Sequence, residues 1–274
     1  MEAFIRMAKY WLVYHPNISN FEWKRGITTA SSIHFLIFTD LSYIFLTLLW
    51  NYWSFRPLSI PLRLISAVYN LFSFFLAVLM VVGCSLSTLS QMPNPNWIFC
   101  FPANQTPTRG PVFFWGYVFY LSKILEFTDT ILILLSDTKA RRLSFLHVFH
   151  HSMGLIMSYI WIDAPQSLLP LGVVTNASVH TVMYLYYLMC SFGVRPSWKK
   201  MVTDIQITQF VCWFFTSGIA LYHHLVKYPC SGPIYAWLFC AFVIISLLFL
   251  FLDFYWKTYN YKQQKMVTKE GHHA

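Results

Sequence analysis

Seven stretches of this chain are long and apolar enough to cross a bilayer as helices. They lie at about 29–53, 62–86, 112–135, 143–161, 166–191, 203–223 and 232–257, since a helix crosses the hydrocarbon in roughly 20 residues. This pattern leaves little choice of fold. In lipid every backbone N–H and C=O must be satisfied within the spanning structure, and seven separate apolar runs of this length do so only as helices. Charged residues make up only 11% of the 274 residues, against about 25% in soluble domains. The connecting segments are too short for another domain, and the chain carries neither repeats nor low-complexity segments. The sequence therefore predicts one all-α membrane domain of seven transmembrane helices over 1–274.

The flanks set its orientation. No cleavable signal peptide is expected, because residues 1–25 hold Arg6, Lys9, Lys24 and Arg25 without a clean apolar run ending in small residues. The first 28 or so residues read as an amphipathic lead-in, with Phe4, Trp11, Phe21 and Trp23 at the interface. One face of the membrane receives twelve basic residues: Arg56, Arg63, Lys139, Arg141, Arg142, Arg195, Lys199, Lys200, Lys257, Lys262, Lys265 and Lys269. The other receives six: the four N-terminal ones, Arg109 and Lys227. The excess of Lys and Arg on cytosolic loops places the C-terminus, a tail from about residue 258 to 274, in the cytosol and the lead-in in the lumen. A net charge of +9, concentrated on membrane-flanking loops, suits anionic headgroups or an anionic substrate; no nucleic acid partner is expected.

Polar residues interrupt the apolar runs in a regular way. Lys123, Glu126, Asp129 and Thr130, at offsets of 0, 3, 6 and 7, share about a third of a helix circumference. His147, His150 and His151 share one face of the fourth stretch, and Asn176, His180, Tyr184 and Tyr187 form a stripe on the fifth. Gln206 and Gln209 share a face of the sixth. One ion pair can be a packing device and one histidine a hydrogen-bonded core residue, but three clustered imidazoles beside an intramembrane lysine and two carboxylates favour a functional site. There is no CxxC pair, and no metal site is expected. His223 and His224 lie at the far end of the sixth stretch, about 30 Å from His147–His151 in depth, and cannot share a metal with them.

These motifs, Lys123-x-x-Glu126-x-x-Asp129-Thr130, His147-x-x-His150-His151, Asn176-x-x-x-His180-x-x-Met183-Tyr184-x-Tyr186-Tyr187 and Thr203-x-x-Gln206-x-x-Gln209-Phe210, resemble in order and spacing those of the ELO family, the very-long-chain fatty acid elongases of the endoplasmic reticulum. The resemblance runs from about residue 115 to 260. It implies six helices around an acyl tunnel with the first at the side, in the endoplasmic reticulum membrane. It implies an acyltransferase, a very-long-chain 3-oxoacyl-CoA synthase, that condenses acyl-CoA with malonyl-CoA to give 3-ketoacyl-CoA, CO2 and CoA. No cofactor is expected; both CoA esters are substrates. Reductase and dehydratase partners are implied, and the family suggests a homodimer.

The chemistry can be drawn on the residues. No serine occupies a nucleophile elbow and no cysteine adjoins the histidines, which leaves imidazole as the nucleophile. His150 is expected to take the acyl group, with His147 or His151 as proton shuttle, while Asn176 and His180 hold the malonyl thioester oxygen as enolate charge develops. Lys123, Glu126, Asp129, Tyr184, Tyr187, Gln206 and Gln209 are expected to line the substrate site. Arg141, Arg142, Lys199 and Lys200, with Lys123, are expected to meet CoA phosphates. Cys100 and Cys230 fall in loops expected on the lumenal side and are candidates for a disulfide-tied lid. Two rivals use the same features: a membrane di-iron desaturase or hydroxylase, for which the histidine count on one side falls short, and a seven-helix lipid receptor or transporter, which leaves the histidine cluster unexplained.

Overall fold

The computed structural model describes residues 2–53, 62–103, 105–136, 143–227 and 229–260. Arg56, Lys139, Arg141, Arg142, Lys262, Lys265 and Lys269 lie outside the described residues. The helices are α1 (Glu2–Lys9), α2 (Pro16–Ser19), α3 (Ile33–Trp53), α4 (Leu62–Gln91), α5 (Pro111–Leu125), α6 (Phe127–Leu134), α7 (Phe145–Asp163), α8 (Leu169–Ser191), α9 (Lys199–Tyr222) and α10 (Ile234–Tyr255). Every one of the seven apolar stretches is thus helical. Among the described residues four segments, not seven, are both long and apolar enough to cross a membrane: Ile33–Trp50, Leu62–Gln91, Lys199–Lys227 and Ile234–Tyr259. The other three carry the site. The stretch at 112–135 is divided at Glu126, and α7 and α8 are diluted by their His, Asn, Ser and Thr residues.

The division at Glu126 has a local basis. The Glu126 N–H still bonds Ser122 O at 2.9 Å, but Asp129 N–H bonds Glu126 O, only three residues back, at 3.0 Å. One tight turn therefore joins α5 to α6, a device common where a helix carries a functional residue. It leaves the face that the spacing selects intact, as the contacts of Lys123, Glu126, Asp129 and Thr130 below demonstrate.

Six helices close a ring. α4 packs along nearly all of α8, α5 lies between α4 and α7, α10 joins α7 to α9, and α9 returns to α8. α3 stands outside the ring against α6 and α7. The ring interior holds buried Phe113, Phe119, Tyr120, Leu155, Ile162, Val173 and Val243, while Phe38, Phe45, Phe72, Phe75, Phe215, Phe242 and Phe249 point outward and are exposed. An exterior this apolar is that of a protein whose solvent is lipid.

The lead-in corrects one expectation. Trp11 is exposed, but Trp23 is buried and Phe21 stacks on Tyr117 with ring centroids 5.3 Å apart. Neither is an interface anchor. Trp23 N–H bonds Thr108 O at 2.9 Å and Gly110 N–H bonds Phe21 O at 2.8 Å. The indole N–H of Trp23 donates to Asp163 Oδ1 (3.2 Å) and Arg25 Nε to the same oxygen (2.8 Å). That contact, through its hydrogen bond first, raises the Arg25 pKa. The lead-in thereby packs onto α5 and the end of α7. Cys100 and Cys230 form a disulfide at that end, with Cα atoms 5.1 Å apart, and Ala103 N–H to Pro229 O (3.1 Å) and Ser231 N–H to Phe101 O (2.6 Å) lace the two loops together.

Candidate active site

At the opposite end of the ring, polar side chains converge from α5, α7 and α8. Lys123 Nζ donates to Glu126 Oε1 at 2.7 Å and to Asn176 Oδ1 at 2.8 Å, and its ammonium lies 4.5 Å from the Phe119 ring centroid. Both members of the ion pair have side chains only 6% exposed, so each charge depends on the other. Glu126 also faces the ring nitrogens His180 Nδ1 (3.2 Å) and His151 Nδ1 (3.9 Å). One carboxylate thus gathers a lysine and two histidines, and it does so from the break between α5 and α6.

The three clustered histidines do not share one role. His147 Nε2 bonds Thr130 Oγ1 at 2.9 Å, and Thr130 in turn meets Tyr43 OH at 3.1 Å. His151 is buried beside Glu126. His150 alone lines the interior cavity, and among the described residues it makes no hydrogen bond. Their rings still touch, with centroids 4.4 Å apart for His147–His151 and 5.4 Å for His150–His151. The i, i+3, i+4 spacing brings the rings together, but a 100° step between neighbouring residues turns His150 and His151 toward different partners.

The cavity measures about 60 Å³ and is lined by the polar side chains of Lys123, Glu126, His150, Ser158, Asn176 and Gln209 set among the apolar ones of Met157, Phe210, Ile244 and Leu247. Polar groups set in apolar walls suit a molecule with a reactive head and a hydrocarbon tail. With Asn176 Oδ1 accepting from Lys123, the Asn176 amide keeps both donors, and the lysine keeps one of its three.

Other site residues sit outside this cavity wall. Tyr184 OH donates to Asp129 Oδ2 at 3.0 Å and is 3.4 Å from Tyr69 OH, so Asp129, Tyr184 and Tyr69 form a hydrogen-bonded chain behind the site. His180 stands behind Glu126. Gln206 does not accompany Gln209; its amide contacts Met183 Sδ at 3.8 Å. Tyr187 packs against Tyr186 near the end of α8. Lys199 and Lys200 are exposed at the start of α9, and Lys200 is held by Asp204 at 3.6 Å and the Tyr255 ring at 5.1 Å. Neither lines the cavity. Arg141 and Arg142 fall outside the described residues.

Three contributors come from sequence that suggests only topology. Tyr43 and Asp40 on α3, and Tyr69 on α4, reach the histidine cluster or its supports; Asp40 Oδ2 accepts from Ser152, next to His151, at 3.0 Å. An isolated buried Asp in the first apolar stretch was the available signal; the two tyrosines gave none.

The family model described as ELO: GNS1/SUR4 family matches residues 28–267. The chain is 33% identical over 257 residues to "Fatty acid elongase A" of Dictyostelium discoideum, covering 89% of this chain and 90% of that protein. It is 30% identical over 272 residues to "Fatty acid elongase 3-like" of Arabidopsis thaliana, covering 92% of each. It is 34% identical over 245 residues to "Very long chain fatty acid elongase 2" of Rattus norvegicus, covering 84% and 82%.

Proposed function

The chain belongs to the ELO family, and from that membership we propose that it works in fatty acid elongation as the condensing enzyme, joining acyl-CoA to malonyl-CoA with release of CO2 and CoA. In this reading all seven long helical stretches cross the endoplasmic reticulum membrane, the ring of six surrounds an acyl tunnel, and the histidine end with the C-terminus faces the cytosol. The observation that carries the chemistry is the position of His150. It is the one histidine of the cluster in the cavity wall, while its neighbours are turned to Thr130 and Glu126.

In the first half-reaction a neutral ring nitrogen of His150 attacks the acyl-CoA carbonyl. The tetrahedral oxyanion is met by donors of Lys123 and Asn176. The C–S bond breaks, CoA leaves as thiolate and takes a proton, and the acyl group remains on the imidazole. In the second, malonyl-CoA replaces CoA. Its C–C bond to the carboxylate breaks, CO2 departs, and the resulting enolate attacks the acyl carbon. The imidazole leaves, takes up a proton and is regenerated with the 3-ketoacyl-CoA. Glu126, gripped by Lys123 and faced by His180 and His151, holds the donors in place; His180 acts through it. His147, tied to Thr130, orients the cluster and serves as proton shuttle. The adenosine phosphates would lie outside the cavity, where Lys199 and Lys200 stand. Product then passes to reductase and dehydratase partners.

The test is His150→Ala, assayed in proteoliposomes with labelled malonyl-CoA. The expected result is a folded protein with no condensation. Turnover near that of the unmodified protein would refute the nucleophile.

A further inference from the structure

α3 stands outside the ring, where packing alone would hold an apolar helix. It nevertheless carries a carboxyl group, Asp40, about two turns into its length. Asp40 is 7% exposed. Its Oδ2 accepts from Ser152 Oγ on α7 at 3.0 Å, and its Oδ1 is buried without a hydrogen-bond partner. A carboxyl group at this depth with a single hydrogen bond costs more in desolvation than the bond returns. A leucine would serve packing better, so the contact calls for a reason other than stability.

The reason lies in the arrangement around α7. With His150 taken as zero and 100° per residue, His147 lies at about 60°, His151 at about 100° and Ser152 at about 200°. His147 is held by Thr130 at 2.9 Å, and Thr130 by Tyr43 of α3. His151 faces Glu126 across 3.9 Å. These two contacts lie on one flank of the helix, about 40° apart, and leave it free to roll about that flank. Ser152 is on the face turned away from His150, and its bond to Asp40 opposes the roll.

His150 depends on that roll more than its neighbours do. It lines the cavity, makes no hydrogen bond among the described residues, and meets His151 and Phe251 edge to face. The orientation of α7 therefore sets the direction of its ring.

We propose that Asp40 is a positioning residue for the acylation step: through Ser152 it fixes the roll of α7 that turns His150 into the cavity. The proposal rests on the acyl-histidine reading above. It gives α3 a part in the chemistry without contact to substrate.

The experiment measures CoA released from acyl-CoA alone in a single turnover, beside the melting temperature, for four variants. Asp40→Leu keeps the branched shape and removes the carboxyl group. Misplacing a reacting group by about 1 Å costs up to about 10²-fold, so CoA release at saturation should slow by at least about tenfold, with the half-saturating acyl-CoA concentration little changed and the melting temperature no lower. Asp40→Asn keeps an acceptor for Ser152 and should release CoA at close to the unmodified rate. Ser152→Ala should slow release as Asp40→Leu does but also lower the melting temperature, because it strands the buried carboxyl group. The double variant Asp40→Leu, Ser152→Ala should regain the melting temperature and be no slower than either single one, since both remove the same tie. Unmodified rates in Asp40→Leu, an Asn variant as slow as the Leu one, or a double variant slowed by the product of the two single effects would each overturn the role. Where Asp40→Leu fails to fold, Ser152→Ala protein releasing CoA at the unmodified rate overturns it in the same way. Malonyl-CoA-dependent turnover by the unmodified protein without prior release of CoA would instead defeat the acyl-histidine reading, and the proposal with it.

Discussion

Replacing Glu126 with Gln keeps the size and the hydrogen-bonding shape of the side chain and removes only its charge. Lys123, whose side chain is 6% exposed, then keeps Asn176 Oδ1 and the Phe119 face but no counter-charge among these contacts. Breaking a buried ion pair from one side costs about 3–5 kcal/mol, because the remaining charge stays desolvated. For a protein of this size a loss of 1 kcal/mol lowers the melting point by about 2–4 °C, so the apparent Tm should fall by about 6–20 °C. The double variant Lys123→Met, Glu126→Gln strands no charge and should recover at least half of that loss, while remaining inactive because the oxyanion donor is gone. Heating purified protein in detergent and following the monodisperse fraction by size exclusion reads both effects. A Glu126→Gln protein melting within about 2 °C of the unmodified one, or a double variant melting below it, would show that the pair does not carry the buried charge as described.

Tyr43→Phe removes the hydroxyl that supports Thr130 and, through it, His147; loss of one buried hydrogen bond of about 1 kcal/mol should lower kcat about fivefold with KM unchanged, and a shift confined to KM would remove Tyr43 from the cluster's support. Loss of the Cys100–Cys230 disulfide in a double Ser variant should destabilise by less than the roughly 4–5 kcal/mol of loop entropy expected for a loop of this length, because the backbone bonds from Ala103 and Ser231 persist; alkylation without reductant should label neither cysteine, and labelling of both in native protein would refute the bridge. Replacing Lys199 and Lys200 with Gln should raise KM for the CoA substrates several-fold at low salt with little change in kcat; unchanged KM values would place the phosphates elsewhere. Dialysis against a chelator should leave turnover unchanged, and a loss restored by ferrous iron would revive the desaturase reading.

The helices were legible because apolar runs of spanning length admit no other backbone solution, and six of the seven fall within a few residues of their expected ends. The Lys123–Glu126–Asp129–Thr130 face was legible because helical offsets survive even the tight turn at Glu126. The division of labour among the histidines was not: i, i+3, i+4 spacing defines a face about 100° wide, and whether a ring meets Thr130, Glu126 or the cavity depends on neighbouring helices. Gln206 and Gln209 show the same limit, their shared face broad enough to give one of them to Met183. Tyr43 and Tyr69 were invisible for a different reason. In a chain with 20% aromatic residues, a tyrosine or tryptophan that reaches the interior looks no different in sequence from one that faces lipid.

The most direct test of the central claim is to find the acyl group. Purified protein incubated with acyl-CoA alone, then digested and analysed by mass spectrometry, should carry one acyl group on His150, with one equivalent of CoA released and the adduct discharged by malonyl-CoA. His150→Ala protein of matched thermal stability should carry none. An acyl group on another side chain that malonyl-CoA discharges at the turnover rate, or full turnover with no adduct and no CoA released before malonyl-CoA is added, would contradict the account.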